Sequence, residues 1–287
     1  MKRGCPNISC RLSSKSVKAG FFRRSSDSKK IQRYKCLACG KYYSNSTFSQ
    51  YRWEKKRRIN APMYRLMASG NSQRRMARLL GVNVKTIARR FLPMARRLEM
   101  ENNKYVILLK DIKQIQLDEM ESWVHSKLKP VSILITVEKD TRRILIAKAS
   151  YMPAKGLIKG KSLKKYGPIK DERRHLFHEE LNRLSLFHPE IESIESDKNP
   201  RYPYFIKKYY PKAQYTRYKG RRGCVVGQGE LKTGGFDPLF SLNHTCAMLR
   251  ANINRLFRRT WCTSKSLQHL NAHLQIYMHY HNHNLVT

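Results

Sequence analysis

Apolar and polar positions alternate with a period of two in the middle of the chain, which is typical of β-strands. Between about Tyr105 and Tyr151, this pattern predicts strands over the segments KYVILLK, KQIQLDEMESWV, VSILITVEKD and RRILIAKASYM. The stretch Glu138–Thr141 has the composition of a turn and predicts a hairpin between the last two strands. Further along, IESIESD and AQYTRY predict two more short strands.

Elsewhere the apolar positions recur with the period of an α-helix. Residues 61–98, residues 173–187, the segment YPYFIKKYY and the region from about Asp237 to His281 are predicted to be helical. The segment GRRGCVVGQGELKTGG is rich in glycine and predicts a mobile loop before the last helical region. The pattern therefore predicts a helical module followed by a mixed α/β domain with a helical C-terminal end.

The first 60 residues have little apolar periodicity but contain four of the seven cysteines. Cys5 and Cys10 are separated by four residues, and Cys36 and Cys39 by two. Two such short pairs can supply the four thiolates of a tetrahedral zinc site, and Gly40 suits the tight turn of the second pair. A segment this short and polar could hardly fold without the metal. We predict a zinc ribbon over residues 1–50; the alternative is two pairs of unrelated buried cysteines.

Residues 51–100 are predicted to contain a helix-turn-helix. Ser72 can cap a first helix, whose apolar positions Met76, Leu79 and Leu80 share one face, and Gly81 ends it in a tight turn. Val84 and Ile87 are expected to anchor a second helix, with Pro93 kinking or ending it. That helix is expected to present four DNA-contacting residues outward: Lys85, Thr86, Arg89 and Arg90. The alternative is a helical hairpin with a solvated basic face.

The charge of the chain narrows the class of partner. Its 59 Lys and Arg residues against 20 Asp and Glu residues give a formal net charge of +39. Such a charge favours a polyanionic partner, with nucleic acid first and an anionic membrane surface second. The sequence shows neither a membrane-spanning apolar run nor a secretory leader, so we expect a cytoplasmic protein with reduced cysteines.

Acidic residues are scarce, yet three of them lie together in the predicted strand QLDEMESW. Alternation puts Asp118 on one face and Glu119 and Glu121 on the other, where pairing with Lys or Arg is expected. Asp197 ends another predicted strand, and the carboxyl ends of strands in open α/β sheets are places where ligands bind. Two adjacent aspartates could hold Mg²⁺; taken singly, each could be a solvated or salt-bridged strand end.

The order of these motifs resembles a bacterial insertion-sequence transposase of the insertion-sequence-one group, with an ISXO-type catalytic domain. The resemblance covers nearly the whole chain and is most specific in the segment LRANINRLFRRTWCTSKS. It implies an RNase H-like catalytic domain over residues 105–287 that uses Mg²⁺ or Mn²⁺. It also implies that Asp118 and Asp197 are the first two catalytic metal ligands.

The third catalytic position departs from the Asp, Asp, Glu pattern of that family. Asn243 stands seven residues before Arg250, where the family usually has Glu. Asparagine offers a carbonyl oxygen but no charge, so we expect weaker metal affinity with the geometry retained. The alternatives are a substitute acid in the preceding loop, Glu230 or Asp237, and an inactivated copy.

The resemblance implies a transposase that binds terminal inverted repeats, cleaves them and transfers strands into target DNA. Three arginines would contact DNA phosphates, although each could also belong to a solvated basic face: Arg250, Arg255 and Arg259. The resemblance implies that the partner is double-stranded DNA and that the protein forms a homo-oligomer on it. It also implies a location at the bacterial nucleoid. A DNA-binding regulator with an inert α/β domain and a basic RNA-binding protein are the competing readings.

The remaining cysteines and the C-terminal histidines could also suggest metal sites. The sequence instead favours packed thiols and packed or solvated imidazoles, because ligand spacing and acidic partners are lacking. These residues are Cys224, Cys246, Cys262, His269, His273, His279, His281 and His283.

Overall fold

The computed structural model describes residues 4–10, 15–49, 51–52, 54–219, 237–257 and 262–286. The chain divides into two compact units, Met1–Met63 and Tyr64–Thr287. It is a mixed α/β structure, as predicted at that level of detail, and it contains two sheets. The three-domain division at residues 50 and 100 stays a prediction. The predicted Gly-rich loop, Cys224, Glu230 and Arg259 lie outside the described residues.

The first unit is built on a small antiparallel sheet. Its strands lie in the order β1-β2-β3 and span Ser16–Arg23, Lys30–Cys36 and Tyr42–Ser44. Most side chains of β1 and β2 are exposed or half-buried, because the strands are short and polar. The buried cluster of this unit consists of three cysteines and Tyr43, with Tyr34 and Phe48 packed beside it.

The second unit contains a five-stranded sheet of order β6-β5-β4-β7-β8. The strands span Gln114–Trp123 (β4), Pro130–Glu138 (β5), Ile144–Tyr151 (β6), Ser193–Asp197 (β7) and Gln214–Tyr218 (β8). The first three form an antiparallel meander, and β7 and β8 follow in parallel to β4. Residues 131–137 of β5 are all buried, so helices cover both faces of the sheet at its centre.

The helices of the described residues span Asn60–Met67 (α1), Gln73–Leu79 (α2), Val84–Leu108 (α3), Lys159–Tyr166 (α4), Arg173–Phe187 (α5), Tyr202–Tyr209 (α6), Phe240–Asn252 (α7) and Leu267–Asn284 (α8). The division between the two units falls within α1. In the part of the chain that the structure describes, none of the helices could cross a bilayer as a long apolar span. The predicted helix over residues 173–187 and the turn after Glu138 are both confirmed.

The extent of α3 corrects one prediction and narrows another. The segment KYVILLK was predicted as a strand, but residues up to Leu108 continue the helix. Pro93 was expected to kink or end that helix; it does not end the helix, which extends fifteen residues beyond it. Phe91, Met94 and Ala95 around the proline are buried, and the amide of Asn102 bonds to Gln275 of α8. This packing offsets the backbone hydrogen bond that proline removes.

Side chains of α8 cover the outer edge of β6, which is the first strand of the sheet. Asn282 and Asn271 each bond both backbone groups of one edge residue, Ile144 and Ala149, at 2.7–3.0 Å. Gln275 donates to the carbonyl oxygen of Ala147 at 3.0 Å. These amides replace the missing neighbouring strand, so the edge does not offer its backbone to another chain.

Candidate functional site

Four cysteine side chains meet in the first unit. The sulfur atoms of Cys5, Cys10, Cys36 and Cys39 all lie within 4.8 Å of one another, and Cys5 Sγ is 3.6 Å from Cys39 Sγ. Sulfur atoms around a tetrahedral zinc ion are about 3.8 Å apart, given Zn–S bonds of about 2.3 Å. The arrangement could therefore hold a metal ion such as zinc, as the spacing predicted.

The backbone shapes both cysteine pairs. The Cys36 N–H donates to Lys41 O, and the Gly40 N–H donates to Cys36 O, both at 3.0 Å. Gly40 has φ +68°, a conformation that glycine adopts without a Cβ penalty. In the first pair, the Asn7 N–H points at Cys5 Sγ at 3.4 Å. Backbone N–H groups directed at sulfur are suited to thiolates.

The surroundings of two of the four thiols lower their acidity. The hydrogen bond to Cys39, and then burial, raise the pKa of Cys10 to about 12. Burial is the main cause that raises the pKa of Cys5. Without a cation these two thiols therefore stay protonated, and a bound divalent metal would reverse this by stabilising the thiolates.

The predicted helix-turn-helix segment forms two capped helices. Ser72 Oγ accepts from the Arg75 N–H at 3.2 Å at the start of α2, and Asn83 Oδ1 accepts from the Lys85 N–H at 2.8 Å at the start of α3. Gly81 lies between them with φ +60°. Ala77 is buried where the helices approach. The helix, Gly-containing turn and second helix are thus observed as local structure.

The exposed face of α3 differs from the predicted one. Lys85 and Arg89 are exposed and Thr86 is half-buried, but Arg90 is only 8% exposed. The helical period puts Arg90 on the face of Ile87 and Phe91, which packs inward. The predictions that Arg90 faces outward and that Val84 is an anchor are therefore wrong, since Val84 is 40% exposed.

The apolar face predicted for α2 also needs one correction. Met76 is buried as expected, whereas Leu79 is 61% exposed and Leu80 is half-buried. Helix α2 ends at Leu79, so Leu79 and Leu80 lie at its C-terminal end rather than along the face that packs.

Two aspartates come together where β4 and β7 pair in parallel. Leu117 pairs with Ser196, and Asp118 and Asp197 are the next residues on the two strands. Asp118 Oδ1 accepts from the Tyr202 hydroxyl at 3.0 Å. Asp197 Oδ1 accepts from the Asn199 N–H at 2.9 Å. The parallel register thus makes neighbours of two carboxylates from distant parts of the sequence.

The electrostatics of this pair are unfavourable without a cation. Burial, and then the charge of Asp197, raise the pKa of Asp118 to about 6. The hydrogen bonds from the Glu119 N–H and from Tyr202 act in the opposite direction. Carboxylates that repel each other in a partly buried position are the donor set that Mg²⁺ or Mn²⁺ would stabilise.

The other two carboxylates of QLDEMESW have basic partners, as expected. Glu119 forms an ion pair with Arg201 and accepts from Ser132 Oγ at 2.5 Å. Glu121 is exposed and lies 3.2 Å from Lys155 Nζ. The prediction that these two acids would pair with Lys or Arg is confirmed.

Asn243 lies on the first turns of α7, which packs against β4 and β5. Its side chain is exposed, and Nδ2 donates to Asp237 Oδ2 at 2.7 Å. Cys246, one turn further along α7, is so near Asp118 that the carboxylate, after burial, contributes to raising the thiol pKa to about 12. Asn243 and Asp237, the two candidates for the third ligand that the structure describes, thus contact each other.

Three residues near the aspartates were not identified from the sequence. Tyr202 donates to Asp118, and Cys246 lies beside it. Buried Gln116 donates to Glu195 at 2.7 Å and accepts from the Leu242 N–H at 3.0 Å, which joins β4, β7 and the start of α7. Of the three, only Gln116 could have been noticed in the sequence, because it is a polar residue between Ile115 and Leu117 in a predicted strand.

The two predicted DNA-contacting arginines after Asn243 that the structure describes have different surroundings. Arg250 is half-buried, and its charge acts to lower the pKa of Cys246. Arg255 lies 5.2 Å over the Phe91 ring and donates to Ser264 Oγ at 3.4 Å. Arg255 is half-buried, and burial lowers the pKa of its guanidinium, so only part of this side chain is available to a basic surface.

The C-terminal histidines pack, as expected. Buried His273 and His281 contact the carbonyl oxygens of Met67 and Arg142 at 2.8 and 3.0 Å. His279 lies 3.1 Å from Glu101. Within the described residues, the cysteine cluster is the only group of three or more His, Cys, Asp or Glu side chains that could hold a metal.

Comparisons with known proteins add no relative to this picture. No protein-family model matches the sequence, and a search of curated proteins found no match.

Proposed function

We propose that the protein is a DNA transposase that cleaves the ends of an insertion sequence and joins them to target DNA. The observation that carries the proposal is the position of Asp118 and Asp197, which directly follow the last pair, Leu117 and Ser196, on two adjacent parallel strands. The strand order β6-β5-β4-β7-β8, with a meander followed by two parallel strands, agrees with the RNase H-like fold that the family resemblance implies.

The residues present fit a divalent cation at this position. Asp118 and Asp197 would be its carboxylate ligands, and the carbonyl oxygen of Asn243 would be the third. A hard cation there would supply stabilisation of charge on the attacking and leaving oxygens of a phosphodiester. Tyr202 holds Asp118 in place through its hydroxyl, and Gln116 holds the start of the helix that carries Asn243.

The remaining parts of the chain would bind DNA. Lys85, Thr86 and Arg89 lie at the start of α3, where a recognition helix contacts base edges and phosphates. The cysteine cluster, with zinc, would order the first unit as a second DNA-binding element. The net charge of +39 supports a polyanionic partner. A homo-oligomer would bring two DNA ends together, and a bacterial nucleoid is the matching location.

The test compares two carboxylates of one strand. Purified protein is incubated with labelled duplexes that carry both ends of the surrounding mobile DNA, in Mg²⁺ or Mn²⁺. We expect strand cleavage by wild type, a loss of at least about a hundredfold in Asp118→Asn, and unchanged cleavage in Glu121→Gln. DNA binding should be equal in all three proteins, because neither change alters the helix-turn-helix.

The third ligand is tested in the same assay. Asn243→Ala should reduce cleavage and Asn243→Glu should retain or raise it, because Glu restores a charged oxygen ligand. If wild type binds the end duplexes but never cleaves them in either metal, the protein is a DNA-binding regulator with an inert domain. If it prefers RNA to duplex DNA in competition, both DNA hypotheses fail.

A further inference from the structure

A cavity of about 330 Å³ lies between α5 and α6 and is also lined by Arg201, which precedes α6. This volume is near the lower end of the range for small-molecule sites, about 300 Å³ and above, and suits one flat ring system. Its lining consists of three arginines and three aromatic residues: Arg173, Arg174, Phe177, Arg201, Tyr204 and Phe205.

The floor of the cavity is connected to Asp118 through one aromatic ring. Phe177 stacks on Phe205 at 4.9 Å and on Tyr202 at 5.5 Å, with interplanar angles of 28° and 25°. The hydroxyl of Tyr202 in turn donates to Asp118. A molecule in the cavity is therefore one side chain away from the proposed site of phosphodiester cleavage.

The rim offers an exposed stacking surface. Tyr204 is 51% exposed and stands edge-on to Phe205, with an interplanar angle of 80°. The guanidinium carbon of Arg174 lies over the Tyr204 ring at 5.6 Å. Tyrosine rings and planar guanidinium groups are the surfaces on which unpaired bases stack in nucleic-acid complexes.

The charges at the cavity favour an anionic ligand. Arg173 donates to Asp171 from Nε at 2.8 Å and Arg201 pairs with Glu119, so both guanidinium groups are oriented and their charges are largely offset by these carboxylates. The positive charge that favours an anion is therefore mainly that of Arg174. Arg174 is exposed at the rim. The lining residues include no carboxylate among those that the structure describes. A flat ring joined to phosphates, which is a nucleotide within a strand, satisfies the aromatic and the cationic parts together.

We propose that this cavity receives one unpaired base of the DNA strand beside the phosphodiester that lies at Asp118. The base stacks on Tyr204 and Arg174 above the floor of Phe177 and Phe205, and Arg201 faces a neighbouring phosphate. The inference rests on the proposed function for its ligand, DNA. It adds that a base is drawn out of the duplex next to the cleavage point, and a pocket with apolar and aromatic walls is the kind of site that holds an extruded base.

The test uses binding and cross-linking, without divalent metal and without cleavage. A short oligo(dT) strand carrying one 5-iododeoxyuridine is irradiated on the full-length protein, and the cross-linked peptide is identified by mass spectrometry. We expect a cross-link within Tyr202–Tyr209. Tyr204→Ala should remove it and weaken binding of the strand about tenfold, whereas Tyr204→Phe should retain both because the ring is kept.

The matched control is Phe187→Ala. Phe187 is similarly exposed, at 46%, but lies at the other end of α5, about 15 Å from Phe177 along the helix. The proposal fails if Phe187→Ala weakens binding as much as Tyr204→Ala, if Tyr204→Phe behaves like Tyr204→Ala, or if cross-links appear only outside the cavity. If wild type forms this cross-link but never cleaves the end duplexes, the proposed transposase function is refuted and the base pocket is not. If wild type cleaves the end duplexes but does not form the cross-link, the base pocket is refuted and the transposase function is not.

Discussion

The two units of the chain are stabilised in different ways. The buried cluster of the first unit consists of three cysteines and one tyrosine, and the strands of this unit are largely exposed. The second unit surrounds its five-stranded sheet with an extended apolar core, including the fully buried centre of β5. A unit with so small a buried cluster would depend on bonds between its cysteines and a metal, whereas burial of apolar surface suffices for the other.

The same difference extends to how polar groups are used. In the first unit, four sulfur atoms converge, and the hydrogen bond to Cys39 and burial raise the pKa of Cys10. In the second unit, two aspartates converge, and burial and then the charge of Asp197 raise the pKa of Asp118. There the surrounding core tolerates the repulsion, as the proposed role of the two acids in binding a metal requires.

The largest effect is expected from removing one cysteine. Cys36→Ser should lose the metal and unfold residues 1–50, because structural zinc contributes about 10–16 kcal/mol of apparent binding free energy. The second unit should keep its structure. Native mass spectrometry measures the zinc stoichiometry, and hydrogen exchange shows which residues unfold.

Cys262→Ser is the control, because Cys262 lies outside the cluster. Zinc retained one-to-one in Cys36→Ser would contradict the prediction. If unfolding also spread through the sheet of β4–β8, the second unit would depend on the metal as well, and the proposed difference in how the two units are stabilised would be wrong.

A smaller effect is expected from acid on the second unit. Burial lowers the pKa of His273 to about 4, from 6.5 for an exposed histidine. Below pH 6.5, His273 therefore binds a proton in the unfolded chain, whereas in the folded state it stays neutral down to about pH 4. Stability should fall as the pH drops through this window, by about 3 kcal/mol in total from this residue.

The measurement is chemical denaturation of wild type and His273→Gln at several pH values between 7 and 4. Glutamine can still donate to Met67 O but does not titrate, so the variant should lose less stability in acid. The exposed His175→Gln serves as the control. Equal acid sensitivity in wild type and His273→Gln would refute the assignment.

The smallest of these effects concerns the aspartate pair. The folded state raises the pKa of Asp118 from 3.8 to about 6, so its ionised form destabilises the fold above that pH. In metal-free buffer near pH 8, Asp118→Asn should stabilise the second unit by about 2 kcal/mol. The gain should vanish below about pH 4, where the carboxyl is protonated in both states.

Thermal unfolding with EDTA and then with Mg²⁺ checks this prediction. Mg²⁺ should stabilise wild type more than Asp118→Asn, and Glu121→Gln should behave as wild type. A destabilised Asp118→Asn at pH 8 would show that the aspartate supports the fold, and would remove the contrast with the cysteine cluster.

Local patterns were enough to predict much of both units. Four features that depend on neighbouring residues were found as expected. They are the helix at residues 173–187, the turn after Glu138, the helix cap at Ser72 and the turn at Gly81. The same kind of pattern failed at residues 104–108, where a short apolar run fits strand and helix equally. Packing of α3 against α8 decided that segment.

Exposure was less predictable than helix or strand. Arg90 was expected on a basic surface, but it lies on the inward-packing helix face of Phe91; Arg255 is half-buried and lies over that ring. Arginine has a long apolar stem and a planar head, so it can pack where its charge suggests solvent. A residue's type therefore indicates its chemistry but not its surroundings.

The sequence by itself determined which residues could bind metal and which strands and helices could form, because spacing and periodicity are local properties. Only the tertiary structure decided that Asp118 lies beside Asp197, that Tyr202 holds Asp118, and that amides of α8 cover the edge of β6. These contacts join residues far apart in the chain. They follow from the order and register of the strands, which is set by burying the whole sheet rather than by any one segment.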